Sequence, residues 1–465
     1  MLKRSISADL EKWKNRNHHP LVLSGLRQTG KTFSVQQFGN DNYLNVVYID
    51  LRKSVSLHSA FDGDFDVNKM TSRITANIPN ARFLPGQTLL ILDEIQDCPN
   101  ARSSLKYWDL DGRYDVIATG SFLGVKGFRR PYPRGIPVGY EEHLVMYPLT
   151  FREFLNNYGM PEDVLNYVQK SISSGTVIDK AIHDRMRELY LEYLIVGGMP
   201  EAVNVFFENH DLNAVKEVQC QIIESIKADF GRYIDANGNE KVNEVLKLRA
   251  EACLNSLPSQ LSKEYKKFQF SLVEGKTHAA DKADALQYLV DIGLVIKSYN
   301  LSDISLPLEA AKIANEYKAF YADTGLLISQ MEQGTAAKVL AGELGAHKGA
   351  ITENMVAVGF HENGQKLYYY RGSSGSPELD FVTMIKTRET IIECKSTNGR
   401  ATSMKHVLQH PEKYGKHPAI KIADTNIGEG EGFRTLPIYY CGFIESNERL
   451  IVKRKTFDDL SIPER

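Results

Sequence analysis

This sequence has no long apolar run, no closely spaced cysteine pair and no excess of either charge. No stretch approaches the ~20 consecutive apolar residues that span a bilayer, so no membrane segment is expected. The first twenty residues, MLKRSISADLEKWKNRNHHP, lack the apolar centre of a signal peptide. Five cysteines (Cys98, Cys220, Cys253, Cys394 and Cys441) are scattered without a CxxC motif. That spacing argues against a zinc site and fits free thiols in a reducing cytoplasm, the location expected here. The net charge of −2 excludes a strongly basic nucleic-acid coat, although a local basic patch is compatible with it.

The 465 residues are 42% hydrophobic and 25% charged, as in a soluble globular protein. They are too many for one ordinary core, and two to four domains are expected.

The stretch SGLRQTGKTF (24–33) has the glycine, four residues, Gly-Lys-Thr spacing of a phosphate-binding loop. The apolar run HPLVLSG precedes it as a strand, and KTFSVQQF follows as a helix, which is the context the motif requires. Gly25 and Gly30 let the backbone curl with its N–H groups inward, toward phosphate oxygens. Arg27, Gln28 and Thr29 complete the loop. Lys31 is placed for the β- and γ-phosphates, and the Thr32 hydroxyl for Mg²⁺. A second strand, QTLLILDEIQD (87–97), ends in Asp93, placed to hold the metal, and Glu94, placed to polarise the attacking water. A third, YDVIATGS (114–121), ends in Thr119 and Ser121, which are placed for the γ-phosphate or the water. Hydrolysis also needs charge neutralisation, for which Arg27, Arg129, Arg130 and Arg134 are candidates; Arg27 lies inside the loop.

From residue 147 to about 234 apolar residues recur at helical spacing, broken at Gly197-Gly198 and Pro200. Residues 241–300 read as helix, short helix (PSQLSKEYKKF), helix and strand, the order of a winged helix-turn-helix. Lys263, Lys266 and Lys267 alternate with Tyr265, Phe268 and Phe270. That suits either a recognition helix on nucleic-acid phosphates or a small packing domain with a charged face.

Toward the end, AHKGAITENMVAVGF (346–360) reads as a helix carrying Glu353. ELDFVTMI and TIIECKS read as a hairpin. Strict alternation puts Glu393 and Lys395 on one face, and Asp380 on the adjacent strand can share it. Glu378 is an alternative ligand. Such carboxylates hold Mg²⁺ or Mn²⁺, and the lysine positions or deprotonates water at a phosphodiester.

Together GLRQTGKT, LDEIQDCPNARSSLKYW, ATGSFLGV, YPLTFREFL, YLIVGGMPEAV, SLPSQLSKEYKKFQFS, FYADTGLL, KGAITENMVA, ELDFV and IIECKS resemble a bacterial and archaeal family. Its members are AAA-type ATPases with a C-terminal domain of uncharacterised function, placed in the PD-(D/E)XK nuclease superfamily. The resemblance implies an α/β fold with a P-loop ATPase core at 1–155, in which helices flank a parallel sheet. A helical lid at 156–235 and a winged-helix-like segment at 236–302 follow, then a restriction-endonuclease-like domain at 303–465. It implies ATP and Mg²⁺ at Gly25 to Thr32, Asp93 and Glu94, and nuclease positions at Glu353, Asp380, Glu393 and Lys395. Where the family has a basic residue after PVG, this chain has Tyr140. The resemblance does not settle the role; the residue types of Glu353, Asp380, Glu393 and Lys395 favour an ATP-regulated, metal-dependent nuclease acting on DNA or RNA. The alternatives are a switch that binds nucleic acid or protein without cutting, and a motor or loader. Assembly into a homo-oligomer is compatible with each.

Overall fold

The computed structural model describes residues 2–121, 139–234, 240–263, 266–275, 278–343, 347–372 and 377–444. Arg129, Arg130, Arg134 and Tyr265 lie outside these residues. No helix among the described residues is long and apolar enough to cross a membrane.

The first sheet contains β1 (Leu21–Ser24), β2 (Asn45–Asp50), β3 (Thr88–Asp93), β4 (Asp115–Gly120) and β5 (Glu142–Val145). Its strands are parallel, in the order β2-β3-β4-β1-β5. The run TLLILD of β3 is buried throughout, as expected for a central parallel strand covered on both faces. One face packs on helix Pro99–Asp111 and its neighbours, including Trp108. The other packs on helices Ile6–Lys14 and Lys31–Asn42, with Trp13 and Phe38. The β1 and β3 strands end at the same edge, where a doubly wound sheet opens its ligand crevice.

Helices dominate residues 151–228. Helix Phe151–Tyr158 starts with a capping box, in which Thr150 and Glu153 satisfy each other's backbone N–H groups. Helix Lys180–Val196 stops at Gly197, and Pro200 opens the next helix. A side chain at Gly198 would collide with the Leu149 carbonyl, so the Gly-Gly break also allows two backbones to touch. Asp323, buried, accepts from the Gly198 N–H at 2.6 Å and the Leu326 N–H at 2.8 Å. This locks the helical segment to residues near 323.

A short ribbon, β6 (Arg232–Ile234) and β7 (Glu240–Val242), leads to helix Glu244–Leu261. Among the described residues the expected short second helix is not formed. The first helix instead runs on through Pro258, and Lys266 and Lys267 lie on irregular backbone. Pro258 has no N–H to offer the Leu254 carbonyl, and the Tyr321 hydroxyl donates to it at 3.3 Å.

The second sheet has eight strands: β8 (Val295–Leu301), β9 (Lys312–Tyr321), β10 (Tyr368–Arg371), β11 (Glu378–Ile385), β12 (Arg388–Lys395), β13 (Ala419–Ala423), β14 (Gly428–Gly430) and β15 (Phe433–Pro437). Their order is β14-β15-β13-β12-β11-β10-β8-β9. The expected domain boundary at residue 302 falls between β8 and β9, which pair antiparallel from Val295–Tyr321 to Leu301–Lys312. The last strand of the anticipated winged helix is therefore part of the C-terminal sheet. Helix His347–Glu362 contributes to the inner side of this sheet and Thr402–Gln409 to the outer. The inner core is continuous with the helical segment and includes Leu26 of the phosphate-loop stretch.

Candidate functional sites

The loop between β1 and helix Lys31–Asn42 has the conformation its sequence anticipates. Gly25 has φ +146°, and a Cβ there would collide with the Met146 carbonyl; Gly30 has φ +92° at the helix N-cap. Gln28 is also left-handed, at φ +63°. The Thr29 side chain donates to the Leu26 carbonyl at 2.9 Å and closes the turn. The Lys31 ammonium is folded onto the loop, donating to the Gly25 and Leu26 carbonyls at 3.0 and 2.9 Å. Its burial lowers its pKa to about 8, against the pull of Glu94 and Asp93.

Thr32, Asp93 and Thr119 converge as the register requires. The Thr32 hydroxyl donates to Asp93 Oδ2 at 2.9 Å. Leu92 pairs with Ala118, so the next residue along each strand brings Thr119 beside Asp93, and the Thr119 hydroxyl donates to it. Tyr48, from β2, donates to Asp93 Oδ2 at 2.8 Å. Thr32 and Asp93 therefore offer two hard oxygen donors at a helix N-terminus, a set that fits Mg²⁺. Glu94 is left-handed at φ +52°; Gln96 donates to it and Arg52 lies 3.8 Å away. Ser121 is buried just past β4. Arg27 forms an ion pair with buried Asp229, at the end of helix Leu212–Ala228. Tyr140 lies under the Lys106 ammonium, 4.9 Å from the ring centre.

The C-terminal candidates fall into two adjoining groups rather than on one face. Glu393 accepts from Lys395 at 2.7 Å and from the Met404 N–H at 3.0 Å, facing helix Thr402–Gln409. Asp380 accepts from the Cys394 N–H at 2.8 Å, and its charge neighbours are Glu353, Lys318 and Lys266. The reason is a bulge. Tyr370 pairs with Leu379 but Tyr368 with Val382, so β11 carries an extra residue at Asp380–Phe381. Strict alternation fails at a bulge. Leu379 and Val382 both pack outward, while Phe381 packs inward. Lys395 is within electrostatic reach of Asp380 and Glu353, so the groups adjoin.

Lysines neutralise these carboxylates. Lys266 pairs with Glu353; buried Lys318 lies 3.7 Å from Glu353 and 3.1 Å from Glu378. Burial opposes the Lys318 charge, but Glu353, Asp380 and Glu378 outweigh it and raise its pKa. Burial and the Glu353 carboxylate push Asp380 up to about 7. Among the described residues no three Asp, Glu, His or Cys side chains converge tightly enough to hold a metal ion. Lys267 pairs with Glu316 at 2.8 Å, and Lys405 with Glu431 at 3.1 Å. Lys266 and Lys267, whose sequence suits either nucleic-acid phosphates or a charged packing face, thus bind carboxylates of the chain itself.

Residues 17–155 match the family model described as the AAA domain. The N-terminal domain is an AAA-type P-loop ATPase domain, as its sheet and phosphate loop require. Residues 187–336 and 348–441 match two further models, each described only as a domain of unknown function. No curated protein matches the chain. Similar solved structures include the Walker-type ATPase PABY2304 of Pyrococcus abyssi, at 14% identity and a TM-score of 0.41, covering 71% of this chain and 96% of that one. Cdc6p from Pyrobaculum aerophilum has 14% identity, a TM-score of 0.24 and coverages of 73% and 93%. C. elegans PCH-2 has 14% identity, a TM-score of 0.24 and coverages of 48% and 70%. At these scores they add nothing to the assignment, which rests on the family match and the loop.

Proposed function

We propose that ATP hydrolysis in the N-terminal domain regulates a C-terminal domain that cleaves nucleic acid. In the ATPase site, Lys31 would leave the loop carbonyls and bind the β- and γ-phosphates. Glu94 would accept the proton of the water attacking the γ-phosphorus. Mg²⁺ held by Thr32 and Asp93 would neutralise charge between the phosphates. Regulation is supported by Leu26 packing in the core shared with the C-terminal sheet and by Arg27 reaching Asp229.

The nuclease reading is carried by the Glu393–Lys395 pair at 2.7 Å, with Asp380 and Glu353 in electrostatic reach of the same lysine. Lys395 would orient water at a phosphodiester and stabilise the pentavalent state. Glu353, Asp380 and Glu393 carry the hard oxygen donors that Mg²⁺ or Mn²⁺ prefers, but as they stand they do not converge on one ion.

A second reading has a specific observation in its favour. Lys266 and Lys318 already balance Glu353 and Glu378. On that reading the domain binds nucleic acid or protein without cutting. Cleavage of labelled DNA and RNA with Mg²⁺ or Mn²⁺, with and without ATP, separates the two. Metal-dependent products lost in Lys395→Ala establish the nuclease. Binding without products on any substrate establishes the switch.

A further inference from the structure

The phosphate loop is held from outside by a residue that precedes the matched AAA segment. The Arg4 guanidinium donates to the Thr29 carbonyl at 2.8 Å and to the Tyr147 carbonyl at 2.6 Å. It also pairs with Glu153 at 3.2 Å, and both side chains are at most 8% exposed. Glu153 is itself fixed. Its carboxylate accepts from the Ser5 N–H at 2.6 Å, the Ser5 hydroxyl at 2.7 Å and the Thr150 N–H at 3.0 Å. Lys3 is clipped to the same helix through Asn157, whose side chain accepts from the Lys3 N–H at 2.7 Å and donates to the Lys3 carbonyl at 2.9 Å. A buried arginine bound at both ends to backbone carbonyls is an expensive arrangement unless it fixes their geometry.

We propose that Arg4 is a positioning residue for ATP hydrolysis and sets the orientation of the Thr29–Gly30 peptide. A trans peptide is planar, with C=O and N–H pointing in opposite directions. Drawing the Thr29 carbonyl to Arg4 turns the Gly30 N–H away from Arg4, to the side of the loop where phosphate binds. Gly30 is the N-cap of the helix that starts at Lys31, so this N–H heads the anion-binding end of that helix. The planar guanidinium serves two carbonyls and a carboxylate at once, which a lysine ammonium does with poorer geometry. The inference concerns the ATPase site alone and is independent of what the C-terminal domain does.

The test compares Arg4→Ala, Arg4→Lys and Ser5→Ala in the full chain. Steady-state ATPase kinetics, ADP titration and thermal melting are the readouts. Ser5→Ala removes a Glu153 contact without touching the loop, so it reports the structural share. The expected result is a rise of about tenfold or more in KM and in the ADP Kd for Arg4→Ala, with partial recovery in Arg4→Lys. Ser5→Ala should lower the melting temperature and leave both constants unchanged. If Arg4→Ala does not fold, Arg4→Lys decides by the same constants. A folded Arg4 variant with wild-type KM and Kd, or equal effects of Arg4 and Ser5 substitution on Kd, would overturn the proposal.

Discussion

Thr32 and Asp93 stand 61 positions apart in the chain, and the hydroxyl of one donates to the carboxylate of the other at 2.9 Å. The contact exists because parallel β1 and β3 end at the same edge of the sheet. It implies separable defects. Thr32→Ala should weaken Mg-ATP binding about tenfold, and excess EDTA should erase its difference from wild type. Glu94→Gln should keep nucleotide affinity and lose about 10²- to 10⁴-fold in turnover. Calorimetric titration with single-turnover hydrolysis checks both.

Lys31 gives a pH dependence. Burial lowers its pKa to about 8 in the free protein, and bound phosphates must raise it. Above about pH 8 the free protein has lost the proton that the complex carries, so binding takes up a proton and affinity falls as pH rises. The limiting slope is about tenfold per pH unit. For folding the sign is opposite. The unfolded lysine binds more protons between about pH 8 and its ordinary value, so stability rises with pH across that window. Titrations in buffers of different ionisation enthalpy measure the uptake, and melts from pH 7 to 10 measure the stability.

Arg27 cannot serve Asp229 and a phosphate equally. Asp229→Asn removes the carboxylate charge that faces Arg27 and should tighten ATP binding while lowering stability on the order of 1 kcal/mol, since Arg27 is part exposed. Both effects should shrink at high salt. An unchanged Kd in the folded variant would mean that Arg27 does not exchange partners.

Lys318 is different, being 1% exposed between two glutamates. Lys318→Met should destabilise the protein by about 3–5 kcal/mol, because it leaves buried Glu353 and part-exposed Glu378 without that cation. Pairing it with Glu353→Gln should restore part of the loss. A double-mutant cycle in denaturant measures the coupling.

What could be read from the sequence was what lies close together along it. Gly25 to Thr32 form one continuous loop and the first residues of the helix after it, so their spacing predicts their geometry. Asp93 and Glu94 follow an apolar strand long enough to be recognised without its neighbours. The helix carrying Glu353 and the hairpin carrying Glu393 and Lys395 show in local periodicity for the same reason. Arg4, Tyr48, Asp229 and Lys318 gave no comparable signal. Arg4 reaches the loop across 25 positions and Tyr147 across 143, and nothing in its local sequence separates it from any basic residue near an N-terminus.

Local chemistry by itself thus determined the phosphate loop, the strand that ends in Asp93 and most of the helices, because glycine conformation and apolar periodicity act over a few residues. Tertiary structure decided the rest. The bulge at Asp380–Phe381 separated Asp380 from the Glu393–Lys395 pair. The long β8–β9 hairpin drew the anticipated winged-helix strand into the C-terminal sheet. Folding also decided between the two readings open for Lys266, phosphate binding and a charged packing face, by making it the partner of Glu353. Each outcome depends on strand pairing or charge burial between distant segments, and those energies arise only when the segments meet.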